Sequence, residues 1–472
     1  MNSISHTTMR ESAFLRWSAL ILVATTMFFA YMFVDVLSPL QSLLESEKGW
    51  SAEAYGVFAS SEYFLNVFVL FLFFAGIILD KMGIRFTGLL SCVIMLIGAS
   101  IKCYAISPFF AEGGAVYELL SSFATGIPAT AKLASVGFAI FGCGIEMAGI
   151  TVSKTIVKWF TGKEMALAMG LEMAIARFGV FAVFRISPFI ANEWSEDPIF
   201  YPVVFCLLLL CIGFLTFLVY TFMDKKLDKQ DEAIALAEEA EAEEPFHFSD
   251  LKKLFTNKVY IIVALLCVLY YAAIFPFQKF ATNMLESNLG MHTQDAADLF
   301  SWFPVGAFVL TPPLGWVLDK YGKGASMLII GAVLVFICHM TFAFYPFAPE
   351  DSTSIYIAYA AILVLGVSFS LVPAALWPSI PHLVDESYLG SAYSIIFLIQ
   401  NFGLWLFPII IGYVLNWSNP AEVLAANGGV YNYQNAMIVF ASCGVIATLL
   451  GFWLKAEDKK KGYGLEEPNI KK

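Results

Sequence analysis

Apolar stretches of about twenty residues recur along the whole chain, parted by short polar or basic segments. Twelve can be drawn. In the first half they fall near 17–41, 54–79, 86–107, 131–153, 164–190 and 200–223. In the second half they fall near 257–279, 294–318, 324–346, 354–380, 388–413 and 434–455. A hydrocarbon core of roughly 30 Å is crossed by about 20 helical residues, so each stretch is long enough to span a membrane. The pattern predicts an all-α membrane protein of twelve transmembrane helices in two six-helix bundles. Residues 1–223 would form the first bundle and 257–455 the second. Between them lies a cytoplasmic acidic linker, 224–256, rich in Ala and Glu and broken by Pro245. Residues 456–472 would be a cytoplasmic tail. A second irregular stretch, 108–130, joins spans three and four and is long for a helical hairpin. Two readings of it stay open, a cover for the outer mouth or a surface decoration.

Basic residues set the orientation. With the N-terminus inside, 21 of the 27 lysines and arginines fall in cytoplasmic segments, and both termini are cytoplasmic. The other six are Lys48, Lys102, Lys132, Arg177, Arg185 and Lys279. They fall outside, at outer helix ends or within the membrane.

Composition agrees. The chain is 59% hydrophobic and 14% charged, against about 25% charged in soluble domains. The net charge of −11 owes much to the linker. No basic patch with interleaved aromatics suggests nucleic acid. Eight cysteines form no CxxC pair and no metal-ligand spacing, and the five histidines are scattered. No nucleophile elbow, Walker loop or dinucleotide fingerprint is present. The sequence therefore suggests no enzyme, no cofactor and no metal site.

The chemistry concentrates between Phe138 and Val180, FAIFGCGIEMAGITVSKTIVKWFTGKEMALAMGLEMAIARFGV. Two apolar helices meet through a turn bearing Lys154, Lys158 and Lys163. Glu146 sits about 12 Å inside this turn on one helix, and Arg177 about 21 Å inside it on the other, at ~1.5 Å per residue. Ions near mid-membrane are costly and usually face a cavity or a partner. A carboxylate and a guanidinium at similar depth suit a ligand bearing both signs. The bland alternative is that they pair with each other and lock the two helices together.

A repeat punctuates the two halves. Gly76-Ile-Ile-Leu-Asp80-Lys81-Met-Gly83-Ile-Arg85 follows span two, and Gly315-Trp-Val-Leu-Asp319-Lys320-Tyr-Gly322-Lys323 follows span eight. A tight turn between two helices needs glycine. Asp80 and Asp319 lie badly against their own helix C-termini, so each should meet a neighbour's basic residue or helix N-terminus. This doubled pattern resembles the signature loop of the major facilitator superfamily. The resemblance implies a central cavity between two halves that rock between outward-open and inward-open states.

Longer strings resemble one branch, the lysosomal dipeptide transporters and their prokaryotic relatives. These are GIEMAGITVSKTIVKWFTGKE, GLEMAIARFG, YYAAIFPFQ and ALWPSIPHLVDESYLGSAYSIIFLIQNFGL. In that branch an acidic residue on span four and an arginine on span five grip the two ends of a dipeptide. The resemblance carries these roles to Glu146 and Arg177. Independently of it, a carboxylate suits an ammonium and a guanidinium fork suits a carboxylate.

Further candidates line the expected cavity. Glu62 and Asn66 share a face of span two, and Glu62 replaces an aromatic expected from the branch, so selectivity should differ. Tyr270, Tyr271, Phe275 and Gln278 on span seven, with Trp377 on span ten, would give an aromatic wall. Gln400 and Asn401 on span eleven would add polar groups. Asp35 is a helix-end residue or, with Glu146, a possible proton site. The expected function is a secondary transporter of dipeptides, a uniporter acting as a monomer in the lipid bilayer. Alternatives are a proton-coupled symporter of another organic anion or amino acid, and a non-transporting membrane sensor or scaffold. A bacterial cytoplasmic membrane is the expected location, a lysosomal membrane the alternative.

Overall fold

The computed structural model describes residues 9–160, 163–194, 196–235, 254–349, 351–384 and 389–468. Regular structure among these residues is helical throughout. The first half contains α1 (Ala13–Asp35), the short α2 (Gln41–Lys48), α3 (Ala52–Phe68) and α4 (Phe71–Ile106). It continues through the short α5 (Pro108–Ala111) and α6 (Ala115–Ser121) to α7 (Ala129–Phe160), α8 (Met165–Glu193) and α9 (Phe200–Ala235). The second half contains α10 (Lys258–Leu289), α11 (Thr293–Phe300), α12 (Trp302–Tyr321), α13 (Gly324–Phe344) and α14 (Ser352–Ser379). It ends with α15 (Leu389–Ser418), the short α16 (Ala421–Ala426) and α17 (Gln434–Lys461). Among the described residues eleven helical segments are long and apolar enough to cross a membrane.

The twelfth expected span, 54–79, is broken rather than missing. α3 ends at Phe68, Leu70 takes a left-handed backbone (φ 55, ψ 37), and the path resumes in α4. Span two therefore supplies α3 and the start of α4, and span three supplies the rest. The turn between them is at Gly83 (φ 78, ψ 172). Its counterpart in the second half is Gly322 (φ 69). Both repeats thus need glycine for a backbone that other residues adopt only with strain.

Two boundaries differ from expectation. α9 continues past 223 to Ala235 because its polar extension is paired. Asp224 and Asp228 accept from Arg85 and Lys158, so these residues belong to the first bundle rather than to the linker. Residues 236–253 of the expected linker lie outside the described residues. At the other end α17 reaches Lys461, and the residues after it fold back. There the carbonyl oxygens of Glu466 and Leu465 accept from Lys323 N–H and Gly324 N–H at 3.1 and 2.9 Å. The 108–130 stretch packs on α4 and α7 of its own half. Lys132 Nζ holds it by donating to the carbonyl oxygens of Leu120, at 2.6 Å, and Phe123.

Within the first half α4 packs on α7, α1 on α8 and α3 on α7; within the second, α13 packs on α17 and α14, and α12 on α14. The halves meet along α3 against α15, α8 against α12, and α10 against the 38–40 turn. At the α3–α15 seam Gly56 lies so close that a Cβ there would stand 2.4 Å from the carbonyl oxygen of Pro408.

Candidate functional site

A cavity of about 140 Å³ lies between the two halves. Its first-half wall comes from α1, α3, α7 and α8, and its second-half wall from α10 and α15. Eight predicted residues line it: Asp35, Glu62, Glu146, Arg177, Tyr271, Phe275, Gln278 and Gln400. The long helices explain the convergence. Asp35 closes the C-terminal end of α1, and the other polar side chains project from mid-helix, where apolar neighbours on either side pack against adjoining helices and leave the polar group facing inward.

Glu146 and Arg177 face the same space without bonding each other. Among the described residues no ion pair joins them, so they do not lock α7 to α8. The Arg177 guanidinium is held over three aromatic rings instead. Its carbon lies 4.9 Å from the Phe275 ring centre, 5.3 Å from Tyr31 and 5.5 Å from Phe369. Cation–π contacts orient the group while leaving its N–H fork free to donate in the ring plane. Tyr31 belongs to the first half and the two phenylalanines to the second, so the cradle is complete only where the halves meet.

The aromatic wall is layered. Tyr271 stacks on Phe275 at 5.4 Å and meets Phe369 edge-on at 6.2 Å. Trp377 stands behind it, outside the cavity lining, and its Nε1–H donates to the Tyr271 hydroxyl at 3.2 Å. Trp377 in turn stacks on Phe397 at 4.9 Å. Three other predicted site residues also lie outside the lining. Tyr270 is one helical step off the cavity face, and its hydroxyl donates to the carbonyl oxygen of Leu328. Asn66 turns to α7, where its Nδ2 donates to the Gly142 carbonyl oxygen at 3.4 Å. Asn401 is buried beside the lining residue Gln400. Of the pair on span two, Glu62 reaches the cavity and Asn66 does not. Close helix approach places Glu62: a Cβ on Gly142 would stand 1.8 Å from the Glu62 carbonyl oxygen.

One residue that sequence reasoning missed organises the polar end of the cavity. Lys279 is 5% exposed and comes from α10. Its Nζ donates to Asp35 Oδ1 at 2.9 Å and lies 3.6 Å from Glu62 Oε2. Gln278 Nε2 donates to the other Asp35 oxygen at 2.6 Å, and Ser38 Oγ donates to Oδ1 at 2.9 Å. Asp35 is thus fully engaged across the interface, while Glu62 Oε2 has no hydrogen-bond partner. Span seven was expected to end at 279, but α10 runs ten residues further, so this lysine is intramembrane rather than at a helix end.

The repeated loops lie at the opposite end of the bundle. Asp80 pairs with Lys154 of α7 at 2.6 Å, the neighbouring basic residue its position required. Arg85 reaches Asp224 and Asp228. Lys81 is exposed, and Gly76 and Gly315 sit within helices in open space. Lys320 lies over the Trp316 ring at 4.8 Å, and Lys323 lies 4.0 Å from Glu466. The Asp319 side chain lies outside the described residues.

The profile of the Major Facilitator Superfamily matches residues 23–284 and 278–469. The chain is 28% identical over 352 residues to a human protein named lysosomal dipeptide transporter MFSD1, covering 74% of this chain and 69% of that one. The zebrafish (Danio rerio) protein of that name is likewise 28% identical, over 354 residues, 74% of this chain and 70% of that one. Among solved structures, the nucleoside transporter NupG aligns with a TM-score of 0.69 at 14% identity, covering 93% of this chain and 99% of that one. A bacterial homologue of the drug peptide transporters PepT1 and PepT2 aligns at 0.62 and 14%, covering 94% and 99%. These two likenesses show the fold alone.

Proposed function

We propose that this chain, which belongs to the Major Facilitator Superfamily, carries dipeptides across its membrane by alternating access. The observation that carries the reading is that Glu146 and Arg177 face one cavity at the interface of the halves, each without an ionic partner in the other. A dipeptide supplies the missing pair, its ammonium to Glu146 and its carboxylate to the Arg177 fork. Backbone ends are common to all dipeptides, so the grip tolerates many side chains. Tyr271, Phe275 and Phe369 would pack against those side chains. The names of the relatives support the same substrate class.

The chain is a multi-pass membrane protein of a transporter family. Its basic residues favour both termini on the cytoplasmic side. We read it as a monomeric uniporter. A bacterial cytoplasmic membrane is the reading from sequence; the names of the relatives favour the lysosomal alternative. The test is binding and flux of a neutral dipeptide by purified protein. Arg177→Ala and Glu146→Gln variants that remain folded should each lose binding by roughly tenfold or more, the worth of a buried charge-assisted pair. Wild-type binding in both would refute the grip.

A further inference from the structure

The C-terminal end of α1 is buried beside the cavity and capped by two lysines, one from each half. The last carbonyls of a helix lack intrahelical partners and carry the negative end of its dipole. The carbonyl oxygen of Val34 accepts from Lys279 Nζ at 3.4 Å. That of Phe33 accepts from Lys102 Nζ at 3.3 Å. Lys279 belongs to α10 in the second half, Lys102 to α4 in the first. Both ammonium groups lie near the ring of Phe138, 5.5 and 4.2 Å from its centre.

The two lysines differ in what they hold. Lys279 also holds Asp35 and approaches Glu62. Lys102 is 0% exposed, boxed by Phe33 at 4.6 Å, Phe58 at 5.2 Å and Phe138. Among the described residues no carboxylate lies within ion-pair distance of it. A buried cation held by one carbonyl and ring faces is expensive. Nothing in the grip proposed above uses it. The titratable groups around the two lysines are Asp35 on α1, Tyr55, Glu62 and Tyr63 on α3, Cys206 on α9 and, across the cavity, Glu146 on α7.

We infer that Lys102 is the standby counter-ion of this cluster, taking over Asp35 and Glu62 when Lys279 leaves. The inference rests on the alternating-access reading and deepens it by fixing the coupling. As the halves part at this end, Lys279 moves away with α10, and both carboxylates stay in the first half. Without a replacement cation they would have to take up protons, and transport would become proton-coupled. Lys102 remains with them. Asp35 lies two residues beyond the carbonyl that Lys102 already holds, and a four-carbon stem spans such a step by rotamer change. The lysine swap makes proton uptake unnecessary, so the carrier runs as a uniporter.

The test places spin labels on the full-length protein at Glu47→Cys and Glu422→Cys, both exposed, in a background where the exposed Cys211 is Ser. Label-to-label distances in lipid nanodiscs report separation of the halves from acidic to alkaline pH. Wild type should populate the separated state to the same extent throughout. Lys102→Met should lose it roughly tenfold or more at alkaline pH and regain it in acid, since the carboxylates must then protonate. Lys102→Arg should restore the flat profile. In liposomes, dialanine flux should ignore a pH gradient in wild type and depend on it in Lys102→Met. If Lys102→Met does not fold, Lys102→Gln carries the same test. A Lys102→Met profile like wild type, or a Lys102→Arg profile like Lys102→Met, would overturn the inference. So would a pH-dependent wild type. Absence of dialanine flux by wild type would instead sink the dipeptide reading, and the label distances would still decide this one.

Discussion

The two ends of the helical bundle are built from similar polar groups put to opposite uses. At the end remote from the termini, bonds run between the halves. Ser42 donates to Glu286 at 3.1 Å, Asn416 to Glu53 at 3.2 Å, the Tyr431 hydroxyl to Glu45 at 2.5 Å, and Arg185 Nε to Ser301 at 3.2 Å. Beneath them lies the buried Asp35–Lys279 pair. At the end bearing both termini, the ion pairs run within a half: Asp80 to Lys154, Arg85 and Lys158 to Asp224, and Lys455 to Glu466 at 3.3 Å. Bonds across an interface hold it shut, whereas bonds within a half stiffen a body that can move. The structure is therefore bonded shut at the remote end, and the repeated loops lie at the end where, among the described residues, no ion pair joins the halves.

The largest effect expected is from Lys279→Met. Breaking a buried pair by removing one partner costs roughly 3–5 kcal/mol. Here the loss falls on the sealed arrangement, so label distances across the remote end should lengthen. Adding Asp35→Asn should recover part of the loss, because the orphaned carboxylate goes too. Next comes Gly412→Val at the α3–α15 seam. A Cβ at Gly412 would stand 2.5 Å from the carbonyl oxygen of Ala52, and backbone cannot give way. Overpacking of about 1–3 kcal/mol should keep the remote end from closing and abolish flux in liposomes, while the protein stays folded. If flux persists in Gly412→Val, the remote seam is not a closing surface.

Smaller effects separate the two repeated loops. The turn at Gly322 is strapped by the chain's own end. Glu466 accepts from Ser326 N–H at 2.7 Å and Ser326 Oγ at 2.9 Å, capping the start of α13 from outside the helix. Glu466→Ala should cost about 0.5–2 kcal/mol, like the loss of an N-cap. It should appear as a lower melting temperature and as protease cleavage after Lys461. The equivalent change at the first loop, Asp80→Ala, removes an exposed pair and should move the melting temperature far less. The smallest effect concerns Glu11, which donates nothing and accepts from Lys163 Nζ at 2.7 Å. The lysine holds its carboxyl below the usual 4.5. A depressed folded value means the stabilisation is present above 4.5 and fades as pH falls through the folded value. Glu11→Gln should therefore lower the melting temperature slightly at neutral pH and not at all in strong acid.

Much of this was legible in the sequence because membrane helices obey a one-dimensional rule. Long apolar runs and the placement of lysines gave the spans, and the doubled glycine pattern gave the turns at Gly83 and Gly322. The predicted polar residues that line the cavity were legible because a polar side chain deep in an apolar run has few places to go but a cavity. What stayed hidden depends on helix phase and length. Tyr270 and Tyr271 are adjacent in sequence, yet about 100° of helical rotation sends one to packing and the other to the cavity. Lys279 and Lys102 were visible as charges, but their partners lie on helices distant in sequence, and α10 runs beyond its expected end. The strap formed by Glu466 was illegible because a short polar tail carries no periodicity to mark where it binds.

The central claim is a two-ended grip on a dipeptide, and thermal stabilisation of the detergent-purified protein tests it most directly. A ligand that binds only the folded state must raise its apparent stability. The panel is free amino acids, dipeptides, tripeptides and organic anions, together with dipeptides blocked at the amino or carboxyl end. The account predicts stabilisation by many dipeptides that vanishes when either end is blocked. It also predicts that Glu146→Gln and Arg177→Ala abolish the response. Silence from every dipeptide alongside a clear response to an organic anion would contradict it.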